Sequence, residues 1–477
     1  MFNQRLIYGF VMFLLLLMVL GCAVNPVTGR HELMFVSEER EVSMGREAAP
    51  SLNWGFGGEY KDKELENYLN GIVNRTWSIS ERPNIPYSFH IQNTSLPNAF
   101  ALPGYVAITR GLLVELDNEA QFASIMGHET GHVMARHSAQ RISRGILTQT
   151  GIGLGGALLG DSIGSDALMM LGSLSTSLVL LKYDRSQELE ADRLGVAYSS
   201  RTGYDPYEAI TAHEKLEVIA NNYMKREGRE SSSGGFLDSI LSTHPRKDVR
   251  VDEIKRMIQD LPAYKMRRDG KFSSEFQSRI SNIRKVHEAY LVYDEAGRAY
   301  EKKNYIDAEK LARKAIEMNP RQAPFYTLLG KISLAEERID DAVKEFNTSL
   351  SIDSEYQPAV YALGVSEYKK GSYQSALEFL KKSRSLYPDH PGSLYTSGLC
   401  YHSLDKPEDA LSAFSSFARM INRHPEVYGY MGMNFEKTSR TNNAIEAYKV
   451  QLKVEPDNKM GQYARQRLSV LGGGIIR

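Results

Sequence analysis

The side chains of this chain best placed to do chemistry are His128, Glu129 and His132, in the run His128-Glu129-Thr130-Gly131-His132. Residues four apart on a helix share a face, so both imidazoles can reach one cation while the glutamate between them is turned toward the edge of that site. Two imidazoles with an open coordination position are how a catalytic zinc is built, and a neighbouring carboxylate can take a proton from the bound water. A third donor is required. Glu188 and Asp192, in Glu188-Leu189-Glu190-Ala191-Asp192, share a face of a second helix, which offers Glu188 as the ligand and Asp192 as the partner that orients an imidazole. Glu190, on the other side of that helix, is the rival ligand, and a solvated acidic face is the alternative for the pair.

These residues need helices to hold them. Asn118, with Gln121 three residues later, forms a capping-box signature that opens a long amphipathic helix predicted through about Ser143. A second helix contains Glu188 to Ser199, and a third opens at Asp205-Pro206 with Asp205 as cap and Glu208 three residues on. Upstream, Tyr87 to Asn93 alternates as a strand does, and Ala99 to Thr109 reads as an extended pair broken at Pro103-Gly104. The Pro and Gly of Asn25-Pro26-Val27-Thr28-Gly29 argue for turns. Between the two ligand helices, Gly145 to Leu181 carries only Asp161 and Asp166 as charges. Each apolar half is too short to span a bilayer, so a buried or lid-like helical hairpin is favoured over a lipid contact. Gly151-Ile152-Gly153-Leu154-Gly155-Gly156 matches a dinucleotide pattern, but no strand precedes it and no such role is expected.

At 477 residues the chain exceeds one compact core, so two or three units are expected. Lys plus Arg and Asp plus Glu both total 58, so no global charge recruits nucleic acid. Two cysteines make no disulfide framework; Cys400, in a helical stretch, reads as a small buried apolar residue. Cys22 ends an uncharged run, Leu6 to Gly21, flanked by Arg5. That run falls short of the roughly 20 apolar residues a spanning helix needs. With Val19-Leu20-Gly21-Cys22 it resembles a bacterial lipoprotein signal cleaved before Cys22; an uncleaved N-terminal anchor is the alternative. Both place the bulk of the chain outside the cytoplasm, and in a Gram-negative cell Ala23 rather than Asp after the cysteine suggests sorting to the outer membrane, facing the periplasm.

The C-terminal third is periodic. Ala308, Ala342, Ala376, Ala410 and Ala444 recur every 34 residues. Twelve residues before each stands Ala296, Gly330, Gly364, Gly398 or Gly432; four after stands Ala312, Phe346, Leu380, Phe414 or Tyr448. Pro320, Pro388 and Pro456 keep the same phase and end the second helix of their repeats. This period, with small, bulky and proline positions, resembles five tetratricopeptide (TPR) repeats from about Ala289 to Asn458, closed by a solvating helix over Gly461 to Leu471.

The run HETGHVMARH (His128 to His137), followed by ELEAD (Glu188 to Asp192), resembles the HtpX and CAAX-prenyl-protease family of gluzincin metallopeptidases. NPVTG at Asn25 to Gly29, NAFALPG at Asn98 to Gly104 and THP at Thr243 to Pro245 narrow the likeness to its periplasmic, TPR-containing lipoprotein members. The resemblance, from about Asn25 to Tyr264, implies one zinc held by His128, His132 and Glu188, with Glu129 as general base and Asp192 supporting the site. It also implies that Asn98, Ala99, Phe100 and Ala101 lie beside the site and can accept substrate as an added strand; from the residues alone the segment is equally an ordinary edge strand. His244 would approach the metal as a regulatory or fourth position; from its residues alone it is equally an exposed turn histidine. Relatives show two glycines after the proline at Pro103, whereas here Gly104 is followed by Tyr105.

The expected architecture is therefore an α+β zinc metallopeptidase domain, mostly helical with a small β-sheet, followed by an all-α TPR solenoid. Its boundaries are a signal over 1–21, a lipidated tether over 22–36, the peptidase domain over 37–262, a linker helix over 263–288 and the TPR array over 289–471. The expected activity is endopeptidase cleavage of envelope proteins. Polypeptide substrates, the outer-membrane protein assembly machinery and, through lipid on Cys22, the membrane are the expected partners. A TPR chaperone or scaffold with latent proteolysis is the alternative, and a prenyl-protein protease is disfavoured by the absence of several long apolar spans.

Overall fold

The computed structural model describes residues 22–146, 183–227 and 247–472. The expected signal over 1–21, the Gly151 to Gly156 match, most of the 145–181 hairpin and His244 lie outside the described residues. The chain forms two compact units, Met1–Glu288 and Ala289–Arg477. Among the described residues no helix is long and apolar enough to cross a membrane.

The first unit begins with a hairpin of β1 (Cys22–Val24) and β2 (His31–Leu33). Buried Asn25 makes its turn: Oδ1 accepts from Val27 N at 2.9 Å and Thr28 N at 3.3 Å, and Gly29 takes φ +68°, a left-handed angle that glycine adopts without penalty. Two helices follow, α1 (Glu38–Gly55) capped by Ser37 and α2 (Lys63–Ser78) capped by Asp62. Strands β3 (Tyr87–Gln92), β4 (Ala99–Leu102) and β5 (Gly104–Thr109) form a sheet of order β3-β5-β4, with β5 parallel to β3 and antiparallel to β4. Gly104, at φ +94°, makes the β4–β5 turn against the backbone of α1. Central β5 is buried along its whole length, so it reads as a continuous apolar run.

After a short α3 (Arg110–Leu113) comes α4 (Glu119–Met134), in which every residue is buried. Asn118 caps it by accepting from Gln121 N at 2.8 Å, while Gln121 Oε1 returns to Asp117 N, one residue upstream of the usual reciprocal bond. Next come α5 (Arg185–Arg201), α6 (Glu208–Arg226), α7 (Lys247–Gln259), α8 (Ser273–Arg279) and α9 (Ser281–Glu301). Leu52, Phe56, Phe100, Tyr105, Ala107, Ala139 and Ile142 make one core, tying α1, the sheet and the helical run 137–146 together.

Three expectations need correction. The helix opened by Asn118 does not run unbroken to Ser143: it stops at Met134, Arg136 takes φ +58°, and helix resumes over 137–146. A left-handed non-glycine residue costs about 1–2 kcal/mol. Arg136 is held there by donating to Val36 O at 2.7 Å and to Glu41 Oε2 at 3.1 Å. The third helix starts at Glu208, because Asp205 Oδ1 accepts from Tyr207 N and closes a turn before it. Residues 263–288 are not a single linker helix. They are a loop, α8 and the first turns of α9, fastened to the first unit by Arg284, which donates to Val114 O at 2.7 Å, and by Glu119 N, which donates to Lys271 O at 3.0 Å.

In the second unit, α10 (Tyr305–Met318), α11 (Ala323–Ala335), α12 (Ile339–Ile352), α13 (Gln357–Lys369) and α14 (Tyr373–Leu386) follow α9. Then come α15 (Pro391–Ser403), α16 (Pro407–Met420), α17 (Val427–Lys437), α18 (Thr441–Val454) and α19 (Lys459–Val470). The periodic glycines are explained by packing. A Cβ on Gly330, Gly398 or Gly432 would fall 2.5, 2.4 or 2.4 Å from the ring of Phe346, Phe414 or Tyr448, each four residues past the repeat's alanine. The final helix is amphipathic, burying Met460, Gly461, Ala464 and Leu468 against its neighbours.

Candidate active site

Helices α4 and α5 cross through small residues. A Cβ on Gly127 or Gly131 would lie 3.2 Å from the Cα of Gly195 or Ala191, and one on Gly195 would lie 2.8 Å from His128 N. This close approach brings Glu188 over the two imidazoles. His128 Nε2 and His132 Nε2 stand 3.0 Å apart, and the Glu188 carboxylate lies 3.7 and 3.6 Å from them. One donor atom from each of the three lies within 4.8 Å of the others, and all three side chains are buried.

The other imidazole nitrogens are tied from behind. His128 Nδ1 meets Asp192 Oδ1 at 2.9 Å, so Asp192 stands where the spacing from Glu188 puts it. Arg250, on α7, donates to Asp192 Oδ2 at 2.8 Å and Oδ1 at 2.6 Å, and its Nη1 lies 3.1 Å from Glu188 Oε2. His213, on α6, reaches Asp192 Oδ1 at 3.3 Å. Burial pushes the Asp192 carboxyl up, but the charges of His213 and Arg250 outweigh it and hold the group well below the usual range. Burial lowers the His128 imidazole to about 4 against the pull of Asp192, so at neutral pH it is uncharged, the form that binds a metal. Glu129 is buried beside these residues, close enough to act electrostatically on Arg250 and Tyr183.

Glu190 does not join the donors. Its Oε2 lies 3.2 Å from His137 Nε2, on the far side of His132. Tyr183 stacks on the His132 ring, with centroids 3.8 Å apart at 14°. Arg250, His213, Tyr183 and His137 carry no spacing signal toward the metal-facing set, because each arrives from a separate element or across the break at Arg136. Strand β4 packs against α4. Thr109 N and Oγ1 donate to Asn98 O at 2.9 and 3.0 Å, and Ala99–Leu102 form the sheet's edge strand, buried at every position.

The chemistry of this set fits a divalent transition metal: two imidazoles, one carboxylate, and hydrogen bonds that fix the rings. A helix-borne pair of histidines four apart, a glutamate donor from α5 and a buried carboxylate beside the first histidine define a metallopeptidase of the gluzincin type. Residues 63–258 match Peptidase family M48, residues 293–358 a tetratricopeptide repeat family, and residues 349–417 the family described as anaphase-promoting complex, cyclosome, subunit 3. The chain thus carries a metal-dependent M48 peptidase domain followed by TPR repeats. It is 24% identical over 388 residues to the beta-barrel assembly-enhancing protease of Yersinia pestis, covering 75% of this chain and 76% of that one. It is 27% identical over 343 residues to the protein of that name in Escherichia coli K12, covering 65% and 66%. To the mitochondrial metalloendopeptidase OMA1 of Schizosaccharomyces pombe it is 28% identical over 246 residues, covering 49% and 66%.

Proposed function

We propose that this protein is a zinc endopeptidase of the bacterial envelope that cleaves outer-membrane proteins or their assembly intermediates. The observation that carries the reading is the convergence of His128 Nε2, His132 Nε2 and the Glu188 carboxylate from two crossing helices. Those three residues would hold the zinc. What a bound zinc supplies is Lewis-acid polarisation of the scissile carbonyl and acidification of its water. Glu129, on the same helix, takes the proton of the attacking water and passes it to the leaving amine. Asp192 keeps His128 in the tautomer that presents Nε2, and Arg250 balances the two buried carboxylates.

Substrate enters as an added strand along Asn98 to Ala101, whose main chain gives affinity with little sequence preference. Since Ala99–Leu102 are buried, that edge must be uncovered first. His244, by resemblance, would act as a regulator of the site. Lipid on Cys22 holds the chain to the periplasmic face of the outer membrane, supported by the uncharged run that precedes it. The stacked repeats offer a surface for polypeptide segments. The names of the Yersinia and Escherichia relatives support β-barrel assembly as the setting and its machinery as the partner.

Glu129→Gln tests the reading. The variant is expected to keep its zinc and to lose cleavage of an unfolded outer-membrane protein by about 10²–10⁴-fold. Cleavage at the parent rate would refute Glu129 as the base. Loss of cleavage with full complementation in cells would favour the scaffold reading instead.

A further inference from the structure

Glu190 and His137 stand outside the set of three donors, yet the backbone leaves its ordinary course to bring them together behind it. On an unbroken helix His137 would lie five residues past His132, about 140° around the axis and out of reach. The left-handed turn at Arg136 swings it back, so that His137 Nδ1 meets His132 Nδ1 at 2.8 Å. His137 is fully buried, and its Nε2 meets Glu190 Oε2 at 3.2 Å. Glu190 is two residues from Glu188 on α5, so it projects about 200° away from the donor face and cannot reach that face itself. The His137 ring fills the gap.

We propose that Glu190 and His137 are positioning residues, forming one hydrogen-bonded arm that fixes the direction and tautomer of His132. This rests on the reading of His128, His132 and Glu188 as the zinc donors. If Nε2 of His132 faces the metal, its proton sits on Nδ1. That proton is donated to His137 Nδ1, which places the His137 proton on Nε2, where it is donated to the Glu190 carboxylate. The three groups thus have one consistent polarity. His128 is tied differently, by direct contact with Asp192 at 2.9 Å. A single helix, α5, therefore supplies a donor in Glu188, a short arm to one imidazole in Asp192 and a long arm to the other in Glu190. Tyr183, stacked on His132 and bonded through its hydroxyl to Ser138 Oγ at 3.1 Å, holds the ring plane while the arm sets the direction of its nitrogens. The simpler view is a buried histidine pair that satisfies itself and does nothing for the metal.

The two views differ in zinc affinity, measured on the full chain by competition with a chromophoric chelator. His137→Leu and Glu190→Gln are each expected to weaken zinc binding by about 10–100-fold. The double variant is expected to bind no more weakly than His137→Leu, because Glu190 reaches His132 only through His137. Single variants within about twofold of the parent, or losses that multiply in the double variant, would overturn the proposal. His128→Ala and Glu188→Gln are measured beside them. If those two keep parental affinity, the donor assignment fails and this arm with it; if they lose zinc while the arm variants keep it, only the arm fails. Thermal unfolding of the metal-free proteins shows which variants fold. Should His137→Leu fail to fold, Glu190→Gln, on a side chain 18% exposed, reads the arm alone with the same outcomes.

Discussion

Replacing Gly195 by alanine separates the crossing of α4 and α5 from ordinary helix propensity. The added methyl would lie 2.8 Å from His128 N and 3.1 Å from His128 Cα. Both are backbone atoms of the metal-facing helix and cannot swing aside. Ordinary carbon contacts begin near 3.4 Å, so the helices must part by about 0.6 Å. Alanine gains about 1 kcal/mol over glycine within a helix, whereas forcing a methyl into a packed contact costs about 1–3 kcal/mol. With an unyielding neighbour the second effect wins, leaving a net loss of up to about 2 kcal/mol. Gly71, inside α2, has nothing within 4 Å of where its Cβ would stand. Gly71→Ala is therefore expected to stabilise by about 0.5–1 kcal/mol, the opposite sign for the same substitution. Urea unfolding of the two metal-free variants reads this difference. Metal–ligand distances tolerate only about 0.2 Å, so Gly195→Ala should also bind zinc at least about tenfold more weakly, while Gly71→Ala should not. Parental stability with unchanged zinc affinity in Gly195→Ala would refute the reasoning that this crossing sets the site.

Three further outcomes are expected. Asp192→Asn should weaken zinc binding by about 10–100-fold, because it disturbs the partner of His128 Nδ1 and leaves Arg250 beside a neutral amide; chelator competition checks it. His287 is buried against Arg110, and burial first, then the arginine charge, lowers its imidazole to about 3. The unfolded chain binds that proton near pH 6.5 and the folded chain does not, so stability falls as pH drops from about 6.5 toward 3, by up to about 1.4 kcal/mol per pH unit from this group. His287→Leu should flatten that part of the stability–pH curve in equilibrium unfolding. In the repeats, Gly398→Ala should destabilise by up to about 2 kcal/mol through Phe414, and adding Phe414→Ala should give a loss smaller than the sum of the singles. The Ala296 and Ala312 pair in the first repeat already uses that small-with-small solution.

What could be read from the sequence was what local periodicity determines. His128 and His132 share a face because any helix makes them do so, and Glu188 with Asp192 follows the same rule. The repeats are visible because a fixed period places a small residue opposite a bulky one again and again. The break at Arg136 left no trace: no Gly, Asn or Pro marks it, and its left-handed backbone is held by Glu41 and the Val36 carbonyl, about a hundred residues earlier. In the sequence His137 therefore looks like the continuation of one helix, and Glu190 like a competitor for the metal. Arg250 and His213 come from elements whose distance from Asp192 in the chain fixes nothing about their distance in space. The start of α6 is hidden because Asp205, a cap by residue type, closes a turn with Tyr207 N instead of capping a helix.

The assignment of the site is tested most directly by anomalous diffraction at the zinc edge from crystals of the full chain grown with zinc. One peak is expected among His128 Nε2, His132 Nε2 and a Glu188 oxygen, at about 2.0–2.2 Å from each. A peak centred instead on Glu190 and His137, or no peak near the two imidazoles, would contradict it.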